Sequence, residues 1–304
     1  MSEVSVRNVS MSYGRVRALD GVSLEVEGGT VFGIIGPDGA GKTTLFRIMT
    51  TLLLPDAGEV RVCGCDVRKD FMEIRRMIGY MPGHFSLYQD LTVEENLSLF
   101  AAVFNTTIQE NYHLVAEIYS QLEPFRKRRA GKLSGGMKQK LALCCAMIHK
   151  PRVLFLDEPT TGVDPVSRKE FWQMLARLKA QGITIVVSTP YMDEASKCDV
   201  ISLMKDGRFF RTDTPEAIVK GFGKRMYELD VQGSIVRALD DVASVQGVES
   251  CSPFGDRIHI VSPSLGREEL SGRLSAIGYD TSSLREAEPT VEDCFIEFDS
   301  RQNE

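Results

Sequence analysis

Gly36-Pro37-Asp38-Gly39-Ala40-Gly41-Lys42-Thr43 is the stretch on which the fold turns. It fits G-x-x-x-x-G-K-[ST], a loop whose glycines let successive backbone N–H groups turn inward around phosphate oxygens. Lys42 adds a point charge to those phosphates, and the Thr43 hydroxyl is a ligand type for Mg²⁺. Just before it, Thr30-Val31-Phe32-Gly33-Ile34-Ile35 is short, apolar and β-branched, which predicts a buried strand. Just after it, Thr44-Leu45-Phe46-Arg47-Ile48-Met49 predicts the start of a helix. Its N-terminus adds partial positive charge at the same place. Strand, glycine-rich loop and helix in that order define a P-loop in an α/β frame, and imply a bound nucleoside triphosphate.

Two further motifs follow in a fixed order. Leu133-Ser134-Gly135-Gly136-Met137 precedes an apolar-striped helical stretch, Lys138 to Ile148. Ser134 is a good N-cap type, and Gly135 and Gly136 leave bare N–H groups at the helix start. That makes a second anion site about ninety residues after the first. One chain has little use for two such cradles unless one serves a neighbour's nucleotide. Val153-Leu154-Phe155-Leu156 is a continuous apolar run, the mark of a central parallel strand, and it ends in Asp157-Glu158.

With these motifs the sequence resembles the nucleotide-binding subunits of ATP-binding cassette (ABC) transporters over about residues 2 to 220. Met137 stands where that family usually has Gln. The resemblance implies an ABC ATPase domain with a RecA-like core, an antiparallel β subdomain and a helical subdomain. It implies two cassettes facing head to tail, with ATP and Mg²⁺ between the P-loop of one and the signature of the other. The nucleotide would then touch residues 36 to 44, including Thr44, and Ser134, Gly135 and Gly136 across the interface. Thr43 and Asp157 would hold the metal, and Glu158 would polarise the attacking water beside Lys42. Asp164, in Thr161-Gly162-Val163-Asp164-Pro165, matches the residue that crosses the dimer interface. Tyr13 matches the aromatic that stacks on adenine.

Two positions depart from the family pattern. Gly83, after Gly79-Tyr80-Met81-Pro82, replaces a Gln that bridges the metal site and the membrane-facing surface. Pro190, within Ser188-Thr189-Pro190-Tyr191, replaces a His that contacts the γ-phosphate. Glycine has no side chain, and proline has neither a side-chain donor nor a backbone N–H. His84, next to Gly83, reads as an exposed loop residue. Lys42, Thr43, Asp157 and Glu158 all survive. The pattern implies a site that binds ATP well and hydrolyses it slowly, as in the degenerate half of an unequal pair.

Composition bounds the alternatives. The chain has 304 residues, a net charge of −6 and seven Cys. The acidic balance, with a pI near 5.5, argues against a nucleic-acid partner. The one dense basic run, Arg126-Lys127-Arg128-Arg129, reads as a solvated helix end. No stretch reaches the roughly eighteen apolar residues of a membrane span, and no signal peptide opens the sequence. The expectation is a soluble, cytoplasmic protein, peripheral on the inner face of the membrane through separate integral membrane subunits. The segment from 85 to 96 would face them. Cysteines without a C-x-x-C read as reduced thiols. The four scattered His show no metal-ligand spacing. A soluble ABC ATPase of DNA repair or translation is the first rival. It usually carries zinc ligands, coiled-coil insertions or tandem cassettes, and none is visible. A regulatory ATP-binding module without turnover is the second.

Beyond the cassette, residues 221–304 predict a small α+β domain. Its strand and helix patterns run β-α-β-β-α-β from Arg225 to Glu286, a ferredoxin-like order. Glu288 to Phe298 resembles the ending of drug- and antibiotic-export ATPase subunits, which favours an exporter.

Overall fold

The computed structural model describes residues 2–302. Its contacts divide the chain into two compact units, the first ending at Pro215 and the second beginning at Glu216. The expected boundary lay after residue 220. Packing explains the difference: Ile218 is fully buried, and its carbonyl lies 3.6 Å from Cys294 Sγ. The helix carrying Ile218 therefore goes with the C-terminal residues.

The first unit opens with β1 (Ser2–Tyr13) and β2 (Val16–Glu27). Next come β3 (Val31–Ile35), α1 (Lys42–Met49), β4 (Ala57–Val62), β5 (Cys65–Asp66), α2 (Phe71–Met77) and β6 (Ile78–Met81). Helices α3 (Val93–Val103), α4 (Ile108–Tyr119) and α5 (Gly135–Met147) follow. The unit closes with β7 (Val153–Asp157), α6 (Pro165–Ala180), β8 (Thr184–Thr189), β9 (Val200–Lys205) and β10 (Arg208–Asp213). Strands β2-β1-β4-β5 form an antiparallel sheet. It is buried on one face, so β2 alternates Val22, Leu24 and Val26 inward with exposed residues between them. The second sheet runs β10-β9-β3-β8-β7-β6, parallel except at β10. Strands β3, β7 and β8 are buried along their whole length, β3 through an unbroken apolar sequence and β7 and β8 through apolar runs that end in the polar residues Asp157 and Ser188-Thr189. Phe46 and Phe155 meet edge-on at 6.1 Å in the core that joins α1 to both sheets.

The helical part is built on local signals. Thr92 with Glu95, and Thr107 with Glu110, form capping boxes that start α3 and α4. The decisive feature is strand order. Strands β3, β8 and β7 are neighbours, with Ile35 opposite Thr189 and Asp157 opposite Ser188. Their carboxyl ends therefore open on one crevice, where ligands of such sheets bind.

The second unit takes in α7 (Pro215–Lys220) from its second residue onward. It continues through β11 (Met226–Asp230), α8 (Ile235–Ala243), β12 (Ser250–Phe254), β13 (Arg257–Val261), α9 (Arg267–Ala276) and β14 (Arg285–Glu286) to α10 (Val291–Gln302). Its antiparallel sheet has the order β12-β13-β11-β14. From β11 to β14 the element order is the expected β-α-β-β-α-β. Tyr227, Leu229, Ile258 and Ile260 of the sheet pack with Leu270 and Leu274 of α9.

Candidate active site

The loop from Gly36 to Thr43 joins β3 to α1. Glycine is required at two points by its surroundings. A Cβ at Gly36 would lie 2.0 Å from the Met204 carbonyl oxygen. At Gly41, with φ +104°, it would lie 2.5 Å from that of Ala18. Gly41 is the N-cap of α1 and offers no side chain to its N–H groups, so the helix start is left open to an anion. The helix begins at Lys42, two residues earlier than the apolar pattern suggests. Pro37 and Asp38 are exposed, and Ala40 is buried where its carbonyl accepts the Gly207 N–H at 3.0 Å. Lys42 is 3 % exposed; its ammonium donates to the carbonyls of Gly36 at 2.8 Å and Pro37 at 2.9 Å. It also lies 3.1 Å from Glu158 Oε1. A cleft of about 390 Å³ runs beside it, lined by Tyr13, Ala18, Gly39, Lys42, Thr43, Thr44 and Glu158 among others. Tyr13 is half exposed there, free to present its ring to a flat ligand.

Asp157 ends β7 and is 1 % exposed. Burial pushes its carboxyl above the usual range, against hydrogen bonds from Ser188 and Thr43. Ser188 Oγ donates to Asp157 Oδ1 at 2.6 Å and accepts the Glu158 N–H at 2.9 Å. Glu158 has φ +49°, in the left-handed region that few non-glycine residues occupy. Its backbone is held by that bond and by a second, to the Ser188 carbonyl, at 3.1 Å. Thr43 and Asp157 thus bring a hydroxyl and a carboxylate together, hard oxygen donors of the kind Mg²⁺ takes alongside phosphate and water. Among the described residues no group of three or more His, Cys, Asp or Glu could hold a metal unaided. Such a site needs the nucleotide to complete it.

The two departures sit beside this centre. A Cβ on Gly83 would be 3.2 Å from the Asp157 main-chain carbonyl and 3.8 Å from Glu158 Cβ, so position 83 packs against the backbone that carries the carboxylate pair. His84 is exposed, as expected. Pro190 directly follows β8, whose last residue Thr189 accepts the Gly36 N–H at 3.3 Å through its carbonyl. Ser188 was not singled out from sequence. The signal available was its place two residues before Pro190, at the end of an apolar strand.

The signature residues lie apart from the cleft: none of Ser134, Gly135 and Gly136 lines it. Ser134 caps α5, its Oγ 3.4 Å from the Met137 N–H, and both Ser134 and Gly135 are exposed. Gly136 is packed so closely that a Cβ would fall 2.6 Å from Ser167 Oγ. Asp164 caps α6, accepting the N–H groups of Val166 at 3.1 Å and Ser167 at 3.0 Å. Those bonds hold its carboxyl below the usual range. Within this chain its role is that of a cap.

A strand-ended phosphate loop, a buried lysine and a carboxylate pair on the adjacent strand define a P-loop nucleoside triphosphatase. The further motifs narrow that class, and comparison with known proteins agrees. Residues 19–161 match the model of the ABC transporter family. The multidrug ABC transporter ATP-binding protein YbhF of Escherichia coli, a probable assignment by its own name, is 45 % identical over 66 % of this chain and 35 % of its own length. This chain therefore spans about a third of that relative. Daunorubicin resistance ATP-binding protein DrrA2 of Streptomyces coeruleorubidus is 35 % identical over 100 % of this chain and 98 % of its own. The Nod factor export ATP-binding protein I of a Rhizobium strain is 33 % identical over the full length of both. Among solved structures, cbiO1 of Clostridium perfringens superposes with a TM-score of 0.65 at 27 % identity, over 72 % of this chain and 91 % of its own. A bacterial cassette solved as a dimer gives 0.64 at 28 % identity, over 69 % and 98 %. The chain belongs to the ATP-binding proteins of the ABC transporter family.

Proposed function

We propose that this chain binds and hydrolyses ATP at a dimer interface to drive export through separate membrane subunits, as the degenerate half of an asymmetric pair. One observation carries the reading: the chain holds one wall of a nucleotide site, while Ser134 and Gly135 at the signature helix start are exposed and do not line it. The cleft is lined by Lys42, Thr43 and Glu158, with Asp157 hydrogen-bonded to Thr43, but has no donor from Ser134, Gly135 or Gly136. A second cassette would supply those donors and receive this chain's in return. Mg²⁺ would bind at Thr43 and Asp157 and supply charge neutralisation on the phosphates. Glu158 orients and takes the proton of the attacking water, and Lys42 holds the phosphates in line. Gly83 and Pro190 remove two groups from that constellation, so this chain's own site turns over slowly.

Among the described residues no helix is long and apolar enough to cross a membrane, and this reading assigns the transport path to separate membrane subunits. Tyr88, Leu52, Leu54, Phe71, Met72 and Val103 are all exposed. A neighbouring groove of about 420 Å³ is lined by Tyr80, Phe100, Phe104 and His149 among others. This apolar surface is suited to a membrane subunit. The export-type relatives favour outward transport, and the transported substrate is left open. Binding is tested by titrating a fluorescent ATP analogue into wild type and Lys42→Ala. The variant should lose binding, and unchanged affinity would remove the assignment. Co-purification with an integral membrane protein separates a transporter subunit from a soluble ABC ATPase.

A further inference from the structure

Glu194 has no role in the reading above, yet it is a buried carboxylate near the site that is hydrogen-bonded at both oxygens. It lies four residues after Pro190, in the short turn Met192–Lys197, and is 3 % exposed. Its Oε1 accepts from Thr160 Oγ1 at 2.8 Å, and its Oε2 from Thr189 Oγ1 at 2.6 Å. Arg168 Nε stands 3.9 Å from Oε1. Thr160 follows Glu158 by two residues, and Thr189 is the last residue of β8. Thr189 Oγ1 also accepts the Tyr191 N–H at 3.1 Å, closing a short bridge across Pro190.

These bonds converge on Glu158 from both sides. On one flank Thr160 is pinned two residues beyond it. On the other, Thr189 is pinned next to Ser188, and Ser188 holds both the Glu158 N–H and the Asp157 carboxylate. Glu158 sits in a left-handed conformation, which persists only where the surroundings over-determine it. We propose that Glu194 is a positioning residue for hydrolysis at this chain's own site. It fixes the end of β8 and the loop after Glu158 to one another from behind, at the place where Pro190 leaves no side chain to fix the strand to the nucleotide. Glu158 is thereby kept in line without a histidine. This rests on the reading that the chain's own Glu158 turns over ATP.

The test is single-turnover hydrolysis of MgATP by the full chain, with ATP affinity and backbone hydrogen exchange measured on the same variants. Glu194→Ala should slow the single-turnover rate at least roughly tenfold, the scale on which a small misplacement acts, with Kd for ATP within about twofold. Glu194→Gln keeps the volume and an acceptor oxygen, and its amide can donate to the other threonine. It should restore the rate to within about threefold of wild type. In the alanine variant, exchange at the Glu158 and Tyr191 amides should rise at least roughly tenfold while β3 and β7 stay protected. A wild-type rate in Glu194→Ala would overturn the proposal. So would a rate loss matched by an equal loss of affinity, or exchange that rises equally through β3 and β7. Failure of the underlying function looks different: wild type itself hydrolyses nothing, alone or with a partner cassette, while exchange at Glu158 still rises in the alanine variant. The positioning claim then falls, and the clamp remains as structure only.

Discussion

Glu158→Gln should tighten ATP binding, and the size of the effect can be worked from the contact it breaks. The Lys42 ammonium lies 3.1 Å from Glu158 Oε1, with Lys42 buried and the Glu158 side chain 21 % exposed. At that distance and an effective dielectric near 20, the bare attraction is about 5 kcal/mol. Desolvation offsets most of it, and hydrogen bonds to charged groups net roughly 1.5–3 kcal/mol. Incoming phosphates must displace this contact to reach Lys42. A glutamine still bonds the ammonium but without the pairing of opposite charges, which leaves roughly half that strength in its place. The difference, about 1–1.5 kcal/mol, no longer opposes the nucleotide, which corresponds to roughly five- to tenfold tighter binding. The carboxylate's own repulsion of the triphosphate acts in the same direction. The assay is calorimetric titration with a non-hydrolysable ATP analogue and Mg²⁺ at low ionic strength, repeated at high salt, where the gain should shrink. Affinity equal to or weaker than wild type would refute the argument that Glu158 competes with phosphate for Lys42.

Other outcomes follow from the same geometry. Pro190→His returns a donor beside the phosphate loop and should raise the basal ATPase of the pure chain roughly tenfold to a hundredfold, below the full value of such a donor because Gly83 stays silent; an unchanged rate would count against slow turnover at a degraded site. In a reconstituted mixed complex, Ser134→Arg should stop transport and ATPase, whereas Glu158→Gln should slow them only mildly; equal damage would favour a symmetric dimer. Asp157 has a folded pKa raised by burial, so it contributes stability below its unfolded value and loses it as pH rises through the folded one. Asp157→Asn should therefore raise the melting temperature of the nucleotide-free chain at pH 7, with the gain vanishing in acid. It should also abolish the further rise given by Mg²⁺ with nucleotide, read by differential scanning fluorimetry.

Much of this protein was legible along the chain. The P-loop could be read because its chemistry is local: glycines at Gly36 and Gly41, a lysine and a threonine must be consecutive for one backbone turn to wrap a phosphate. The cap at Ser134 and the fully buried strand β7 were local for the same reason, since a helix start and an unbroken apolar run each announce themselves within a few residues. The β-α-β-β-α-β order of the second unit followed from periodicity alone. The boundary between the units did not, because it depends on what Ile218 packs against, far along the chain at Cys294. Ser188 and Glu194 were silent in sequence, where a serine ending a strand and a glutamate in a turn look ordinary. Only the side-by-side order of β3, β8 and β7 brings Ser188 to Asp157, and only the fold of the following turn carries Glu194 inward to two threonines that lie 29 residues apart in the chain. Sequence determined which groups could meet phosphate, because those are neighbours along the backbone. Tertiary structure decided which groups hold Asp157 and Glu158 in place, because those are neighbours only through the sheet.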